Sequence, residues 1–565
     1  MTSNCRTAII AFAPADSPGA QIGAASPGHT PPQRHGLAAH QPVSVAPRQI
    51  PYDRIAWLVI IANIVTQVMR YLECRSLRYD ECRLALNLLE RDYTGLTRLL
   101  DYQQSAPIAF LWIEKLLITA RHDEFLLRLF PILMSVAAPV LFWLFARREG
   151  SPRAALIGTF LFCLNRHILL HSSEVMQFSL DISCAILALM GGAWVVRTQI
   201  TLAKVLAVAV LGAVALWFSQ PELYIVAGVW TAVAGATLLP LWKPPAYPQL
   251  RWPLAIAALT LGSGILCASF LLNYQVVIAP LLSEAWTVQN WEAGFAPYPP
   301  WTIDDVLWYL RASSDLMISN RGETYWGLAL IPFFLAGVLY VTCTRPWLAA
   351  MLVLPIVFAY IASALGRFGF ADLQILFLQP CVVFVAACGI EQIVKLISER
   401  NGNFEQTAAW GMMAFSVVAL PYSQVSGRLE HWNQLETRAA LADLAPRVKD
   451  GDVIYVTQSM SYAYLYYARM YHTTQNCKLG DWPGLFSAST GAAIGHEGDD
   501  PSGYEKEMQQ LVTRHPESRR VWVLTATISW LGGDVRPSMR EMLEKRGSVE
   551  EFNYPGVTIF LLTLP

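Results

Sequence analysis

Long, nearly uninterrupted apolar runs recur along this chain, near residues 54–72, 125–146, 153–170, 178–196, 200–218, 221–241, 253–274, 323–342, 346–363, 373–394 and 406–422. Crossing the roughly 30 Å hydrocarbon core of a bilayer takes about 20 such residues in a helix, and the shorter runs are flanked by side chains able to snorkel. The pattern predicts a mainly α, polytopic membrane protein with about eleven spans. One run stands apart. Residues 106–120 are apolar but short and carry Glu114 and Lys115 at their middle, where a charge costs about 2.5–3.5 kcal/mol on insertion scales. This segment is expected to lie along the membrane. With it left out, Arg147, Arg148, Arg153, Arg197, Lys204, Lys243, Arg251, Arg345, Lys395 and Arg400 all fall in loops on one side, and the short turns opposite carry little beyond Arg166 and Arg367. Basic loops stay in the cytoplasm, which puts the N-terminus inside and the C-terminus outside.

Three stretches break the apolar pattern. Residues 1–52, rich in Pro, Ala, Gly and Gln, read as a disordered cytoplasmic tail, and the apolar run 8–13 inside them is too short for a cleaved signal. Within the membrane-embedded part, 53–422, two external loops are large, 73–124 and 275–322. The second holds Trp286, Trp291, Trp301 and Trp308, which fit an interfacial belt or a stacking surface for sugar rings, and Thr302 ahead of Asp304 and Asp305 opens a surface helix to about Leu316. From 423 to 565 the hydropathy falls. Helices near 434–445, 460–470 and 504–514, strands near 453–457, 520–525 and 557–563, and a turn at 450–452 predict a small soluble α/β domain.

Composition narrows the classes. With 54% hydrophobic and 15% charged residues the chain has too much apolar surface for an ordinary soluble fold, and a net charge of −1 offers no basic field for nucleic acid. Its ten cysteines show no CxxC and no Cys/His grouping at metal-ligand spacing. Cys74 and Cys82 share an external loop and are expected to remain free thiols. No phosphate-binding glycine loop, Gly-x-Ser-x-Gly or His-Glu-x-x-His occurs, so nucleotide-sugar, hydrolase and metalloprotease readings have no anchor. No cofactor is evident, and dependence on a divalent metal is left open.

The polar residues that interrupt the spans carry the chemistry. Asp80 and Glu81 follow the first span; adjacent carboxylates beside a wet cavity can take a proton from an attacking hydroxyl. They also fit the first turn of an exposed helix, where acids gain about 0.3–1 kcal/mol. Beyond them come Asn87, Tyr102-Gln103-Gln104-Ser105-Ala106-Pro107, Glu114-Lys115, Glu124, Arg128 and Pro131. Further on lie Ser173-Glu174-Val175-Met176-Gln177-Phe178-Ser179-Leu180-Asp181 and Leu376-Phe377-Leu378-Gln379-Pro380.

The order and spacing from Tyr79 to Pro131 resemble the first external loop of bacterial family 39 glycosyltransferases, GT-C relatives of protein mannosyltransferases and of lipid A aminoarabinose transferase, with weaker echoes to the C-terminus. The resemblance implies a GT-C fold and a glycosyltransferase that moves a monosaccharide from a polyprenyl-phosphate donor to an envelope acceptor (lipid, glycan or protein) by inverting displacement. It implies a multi-pass protein of the bacterial inner membrane with a periplasmic C-terminal domain. The first acid of the pair, Asp80, would be the base, with Glu81 assisting. Lys115 and Arg128 match the family's cations and, with Arg367, would hold the departing phosphate; snorkelling or pairing with Glu114 or Glu124 is the alternative. Gln103, Gln104, Glu114, Glu174, Gln177 and Asp181 would contact substrate, although helix capping explains Glu174, Gln177 and Asp181 as well. Met176 and Phe178 stand where relatives carry Lys and Tyr. A transporter or flippase of a lipid-linked sugar is the rival class; it predicts ionisable residues at the midplane and two repeated halves.

Overall fold

The computed structural model describes residues 50–239, 250–284, 291–317, 326–398, 404–429, 435–449, 452–474, 501–514, 516, 519–527 and 534–565. Trp286, the tail before residue 50, residues 240–241 and 323–325 of two expected spans, residue 434 and the turn at 450–451 lie outside them. Among the described residues fourteen helices of eight or more residues precede the C-terminal region: α1 (Tyr52–Glu73), α2 (Tyr79–Glu90), α3 (Ile108–Ala120), α4 (Leu129–Glu149), α5 (Pro152–Cys163), α6 (Phe178–Arg197), α7 (Leu202–Phe218), α8 (Glu222–Leu238), α9 (Trp252–Asn273), α10 (Ile303–Met317), α11 (Ile331–Thr344), α12 (Pro346–Ala364), α13 (Gln379–Ser398) and α14 (Phe404–Leu429). Among the described residues seven helical segments are long and apolar enough to cross a membrane, and α5, α7 and α8 are shorter apolar helices. The last expected span, 406–422, falls on α14.

The chain marks many of these boundaries itself. Ser151 and Thr201 cap α5 and α7 with their hydroxyls, and prolines sit in the first turn of α5, α9, α11 and α12, where a missing N–H costs nothing. One expected span is interrupted. The run 153–170 breaks after Cys163 because the Asn165 side chain accepts from the N–H groups of His167 and Ile168 and starts a separate short helix, Arg166–Leu170. At twelve residues α5 measures about 18 Å, too short to cross alone.

Helices α4, α5, α6, α8, α12 and α13 bury a shared core that includes Phe142, Phe162, Ile186, Met351, Phe377 and Phe384. Helix α8 presses closely on α12: a Cβ at Gly228 would lie 2.6 Å from the Pro355 ring.

After α14 come α15 (Thr437–Leu444), β1 (Val453–Val456), α16 (Gln458–Thr474), α17 (Pro501–Arg514), β2 (Arg520–Ala526), α18 (Arg536–Glu544), β3 (Ser548–Tyr554) and β4 (Val557–Thr563). The sheet order is β1-β2-β4-β3, with β1 parallel to β2 and the remaining pairs antiparallel. Pro555-Gly556 joins β3 to β4, Gly556 taking a φ of +71° that a Cβ would oppose. The core of this sheet is continuous with the first external loop. Leu77, Leu84, Leu88 and Phe110 bury themselves in the same apolar cluster as Met460, Tyr466, Tyr467 and Trp522.

Candidate functional site

The site begins where α1 ends. Cys74 takes a positive φ of 42°, and residues 75–78 run to α2, whose first turn holds Asp80 and Glu81. Successive helical positions face about 100° apart, so the two acids meet different surroundings.

Glu81 is 1% exposed. Its Oε2 accepts from the Arg78 N–H at 2.9 Å and lies 3.4 Å from Arg75; its Oε1 accepts from the Val175 N–H at 2.9 Å and faces Arg128 at 3.5 Å. It ties the start of α2 to the loop before α6. Asp80 instead keeps 54% of its side chain exposed, with Arg83 at 3.6 Å. Protein surrounds it on most sides, so it stands in a concavity open to water. Removal of bulk solvent raises its pKa above the usual carboxylate value, and Arg83 and Arg78 oppose that rise only in part.

Arg83 and Arg78 act on this acid, and with Arg75 they make a ring of arginines around the buried acids next to it. Arg75 and Arg78 hold Glu174 at 3.1 and 2.8 Å, and His171 Nδ1 contacts its other oxygen. Burial alone would raise the Glu174 pKa, but His171, Arg78 and Arg75 outweigh it and hold the carboxyl well below its ordinary value. Arg83 donates to the Gln103 carbonyl at 3.1 Å and lies over the rings of Tyr79 and Tyr462. Tyr462, from α16, meets Tyr79 and Tyr102 edge to face, so the C-terminal region forms one wall of the site.

That region also grips residues 74–78. Arg438 donates to the Cys74 carbonyl at 2.5 Å and to Glu124 at 3.1 Å, Ser76 Oγ accepts from the Arg438 N–H at 3.1 Å, and the Leu77 N–H donates to the Tyr467 hydroxyl at 2.6 Å. Cys74 and Cys82 are both free and buried.

Other expected site residues lie elsewhere. Arg128 is 1% exposed and donates to the Arg75 carbonyl at 2.5 Å and the Ser76 carbonyl at 3.4 Å, so its guanidinium is walled into protein. Lys115 Nζ donates to the Leu88 carbonyl at 2.7 Å, at the far end of α2, roughly 12 Å along the helix from Asp80. Gln104 is buried and lines a small pocket with Ile108, Val276 and Leu281. Glu114 is fully buried, neither oxygen has a hydrogen bond, and burial raises its pKa well above the usual value. Gln177 is half-buried with no partner for Oε1. Asp181 faces Ser219 and Glu222, outside the arginine ring. Arg367 is exposed between α12 and α13, beside a strand-like contact in which the Phe370 N–H donates to the Gly294 carbonyl at 2.7 Å. The described residues hold no cluster of three or more His, Cys, Asp or Glu suited to a metal.

Sequence reasoning missed Arg75, Arg78, Arg83 and Glu222. The three arginines had a signal: they stand in a loop that the charge bias of the other loops assigns to the outside, where basic residues are disfavoured.

No protein-family model matches this chain, and no curated protein is similar to it in sequence. Solved structures do match it. ArnT from Cupriavidus metallidurans in the apo state superposes with a TM-score of 0.50 at 13% identity, over 91% of this chain and 99% of ArnT. ArnT bound to undecaprenyl phosphate gives 0.46 at 14% identity over 91% and 100%. The archaeal oligosaccharyltransferase AglB from Archaeoglobus fulgidus, in complex with an inhibitory peptide and a dolichol-phosphate, gives 0.42 at 11% over 90% and 74%. The polytopic helical frame with a small C-terminal sheet is the GT-C fold of ArnT, shared over nearly the whole of both chains.

Proposed function

We propose that this chain is a glycosyltransferase that moves a monosaccharide from a polyprenyl-phosphate donor to a lipid, glycan or protein of the cell envelope, from the periplasmic face of the bacterial inner membrane. Asp80 takes the proton of the acceptor hydroxyl as that oxygen attacks the anomeric carbon, and the sugar leaves the lipid phosphate with inversion. The observation that carries this reading is the contrast between neighbours: Asp80 is exposed to water beside Arg83 and Arg78, while Glu81 and Glu174 are buried and saturated with donors that include Arg75. A base must reach the proton it removes, and a developing phosphate charge needs fixed cations beside it.

Within this proposal Arg78, with 28% of its side chain exposed, replaces Lys115 and Arg128 as the cation facing the phosphate, and exposed Arg367 is the second candidate. Glu81 and Glu174 hold the arginines in place, and Gln103 orients Arg83. The ArnT fold and the sequence resemblance of the first loop support the same donor class.

The test is transfer of radiolabelled sugar from a polyprenyl-phosphate donor to an envelope extract by the purified protein. Flipping of the donor across vesicles without transfer would favour a transporter instead. Arg78→Ala is expected to weaken donor use by about tenfold or more, a charge-assisted contact being worth roughly 1.5–3 kcal/mol, whereas Lys115→Ala leaves donor KM unchanged and costs only stability at the end of α2. Equal donor defects in both variants would restore Lys115 to the site.

A pH dependence follows from the raised Asp80 carboxyl. The active form is deprotonated, so kcat/KM falls as pH drops through the Asp80 pKa, and the acid limb lies above the ordinary carboxylate range of about 3.9. A flat profile from pH 5 to 8 still permits the base; an acid limb retained in Asp80→Asn assigns it to another group.

A further inference from the structure

We propose that the outer ends of α6, α7 and α8 form a binding site for an amine-bearing lipid, with the acids Asp181 and Glu222 taking the ammonium and an apolar slot beneath them taking the chain. This site is separate from the Asp80 group and does not rest on the glycosyl-transfer reading.

Two acids are buried here without a cation. Glu222 is 0% exposed and neither of its oxygens has a hydrogen-bond partner; Asp181 is 5% exposed, with Oδ1 unpartnered. Asp181 acts on Glu222, and among the described residues no lysine, arginine or histidine acts on either. Ser219 is fully buried with its hydroxyl turned to Asp181, and the Gln220 amide nitrogen is unpartnered. Elsewhere in this protein buried acids such as Glu81, Glu124 and Glu174 each face arginines. Two acids buried together need a cation or a shared proton, and this pair is built to receive a donor from outside the chain.

Directly below lies a cavity of about 310 Å³, lined by Cys184, Gly191, Gly212, Ala215, Val226 and Trp230 among others. Three helices connect it to the polar group. Cys184 is one turn inward from Asp181 on α6, Ala215 one turn inward from Ser219 on α7, and Val226 one turn inward from Glu222 on α8. The polar group therefore stands one helical turn beyond the lining, at the outer end of the slot. Leu187 and Leu211, also in its lining, are exposed on the side that faces hydrocarbon in a spanning orientation, so a chain can enter laterally. Gly191 leaves this space open: a Cβ there would meet no atom within 4 Å.

Charge decides the head group. Paired acids repel a phosphate and attract a primary ammonium, whose N–H groups satisfy carboxylate oxygens and the Ser219 hydroxyl together. The slot therefore selects against the phosphate that the arginine ring attracts, and the two lipid classes are sorted to different parts of the fold.

The probe is dodecylamine carrying a photoactivatable diazirine on its chain, added to the full-length protein in phosphatidylcholine nanodiscs, with labelled peptides mapped by mass spectrometry. Labelling is expected within 184–191, 211–215 and 226–230, and unlabelled dodecylamine should compete about tenfold better than dodecanol, dodecyl phosphate or tail-less butylamine. Asp181→Asn with Glu222→Gln, and separately Gly191→Leu, should each lower labelling about tenfold or more. Equal competition by dodecanol or dodecyl phosphate would reduce the slot to a groove for any bilayer lipid, and equal competition by butylamine would remove the chain from the proposal; either overturns it. Should the carboxamide variant lose monodispersity, Gly191→Leu and the competition series on the unaltered protein decide the matter, unchanged labelling in Gly191→Leu counting against the slot.

Discussion

Asp80→Asn is expected to cut single-turnover transfer by a factor of about 10² to 10⁴, the usual yield of general-base catalysis, while leaving the protein folded. The amide keeps the size and polarity of the side chain but has no lone pair basic enough to take a hydroxyl proton near neutral pH. Folding should survive because more than half of the Asp80 side chain is in water and its nearest cation, Arg83 at 3.6 Å, keeps its Gln103 and tyrosine contacts without it. Glu81→Gln should behave differently. An amide in its place accepts from only one of the Arg78 and Val175 N–H groups and turns its NH2 against the other, beside Arg75 or Arg128, so it should loosen the loop and lower the unfolding temperature before it touches the chemical step. Single-turnover transfer at saturating donor, read beside thermal unfolding in detergent, separates the two. Near-normal turnover in Asp80→Asn would remove the base from this position.

The difference between these neighbours marks how far the sequence could be read. The pair Asp80-Glu81 was visible as a pair, because acids after a span and before an amphipathic run are conspicuous; which of them faces water depends on what packs against α2, and that is supplied by α16 from nearly four hundred residues away. Helix α10 and the strands β1, β2 and β4 were legible for the same reason as the apolar spans: their periodicity is set by local burial. Strand β3 was not, since Ser548–Tyr554 is an edge strand whose adjacent Glu550 and Glu551 put a charge on each face and mask the alternation. Asn165 looked like one polar residue inside an apolar run, and only its two side-chain hydrogen bonds reveal that it ends α5. Glu222 drew no notice: it sits in the first turn of α8, an ordinary place for an acid, and nothing local says that it is fully buried near Asp181. Arg75 and Arg78 were the readable signal left unread, basic residues in a loop that the charge pattern of the other loops assigns to the outside.

Arg128→Ala is expected to destabilise the first loop and its seat on the C-terminal region by about 3–5 kcal/mol, the usual cost of removing one partner of a buried ion pair. The substitution takes one of two guanidinium partners from each of two buried acids, leaving Glu81 with Arg75 and Glu124 with Arg438, and it leaves the Arg75 and Ser76 carbonyls without their donor. Arg438 cannot replace it, being already committed to the Cys74 carbonyl and Glu124. Residues 74–78 should then detach from Tyr467 and from Ser76's contacts with α15, exposing the buried Cys74 thiol. Alkylation of Cys74 by a water-soluble maleimide, mapped by mass spectrometry in folded, monodisperse protein, reads this opening directly; Arg128→Ala should accelerate it by a large factor and Lys115→Ala should not. Arg128→Lys keeps a charge but loses the fork that reaches two carbonyls and a carboxylate together, so it should fall between. The opposite pattern, slow wild-type alkylation with donor affinity lost, would mean that Arg128 turns from its carbonyls to meet the lipid phosphate, and the walled-in guanidinium would then describe only the donor-free state.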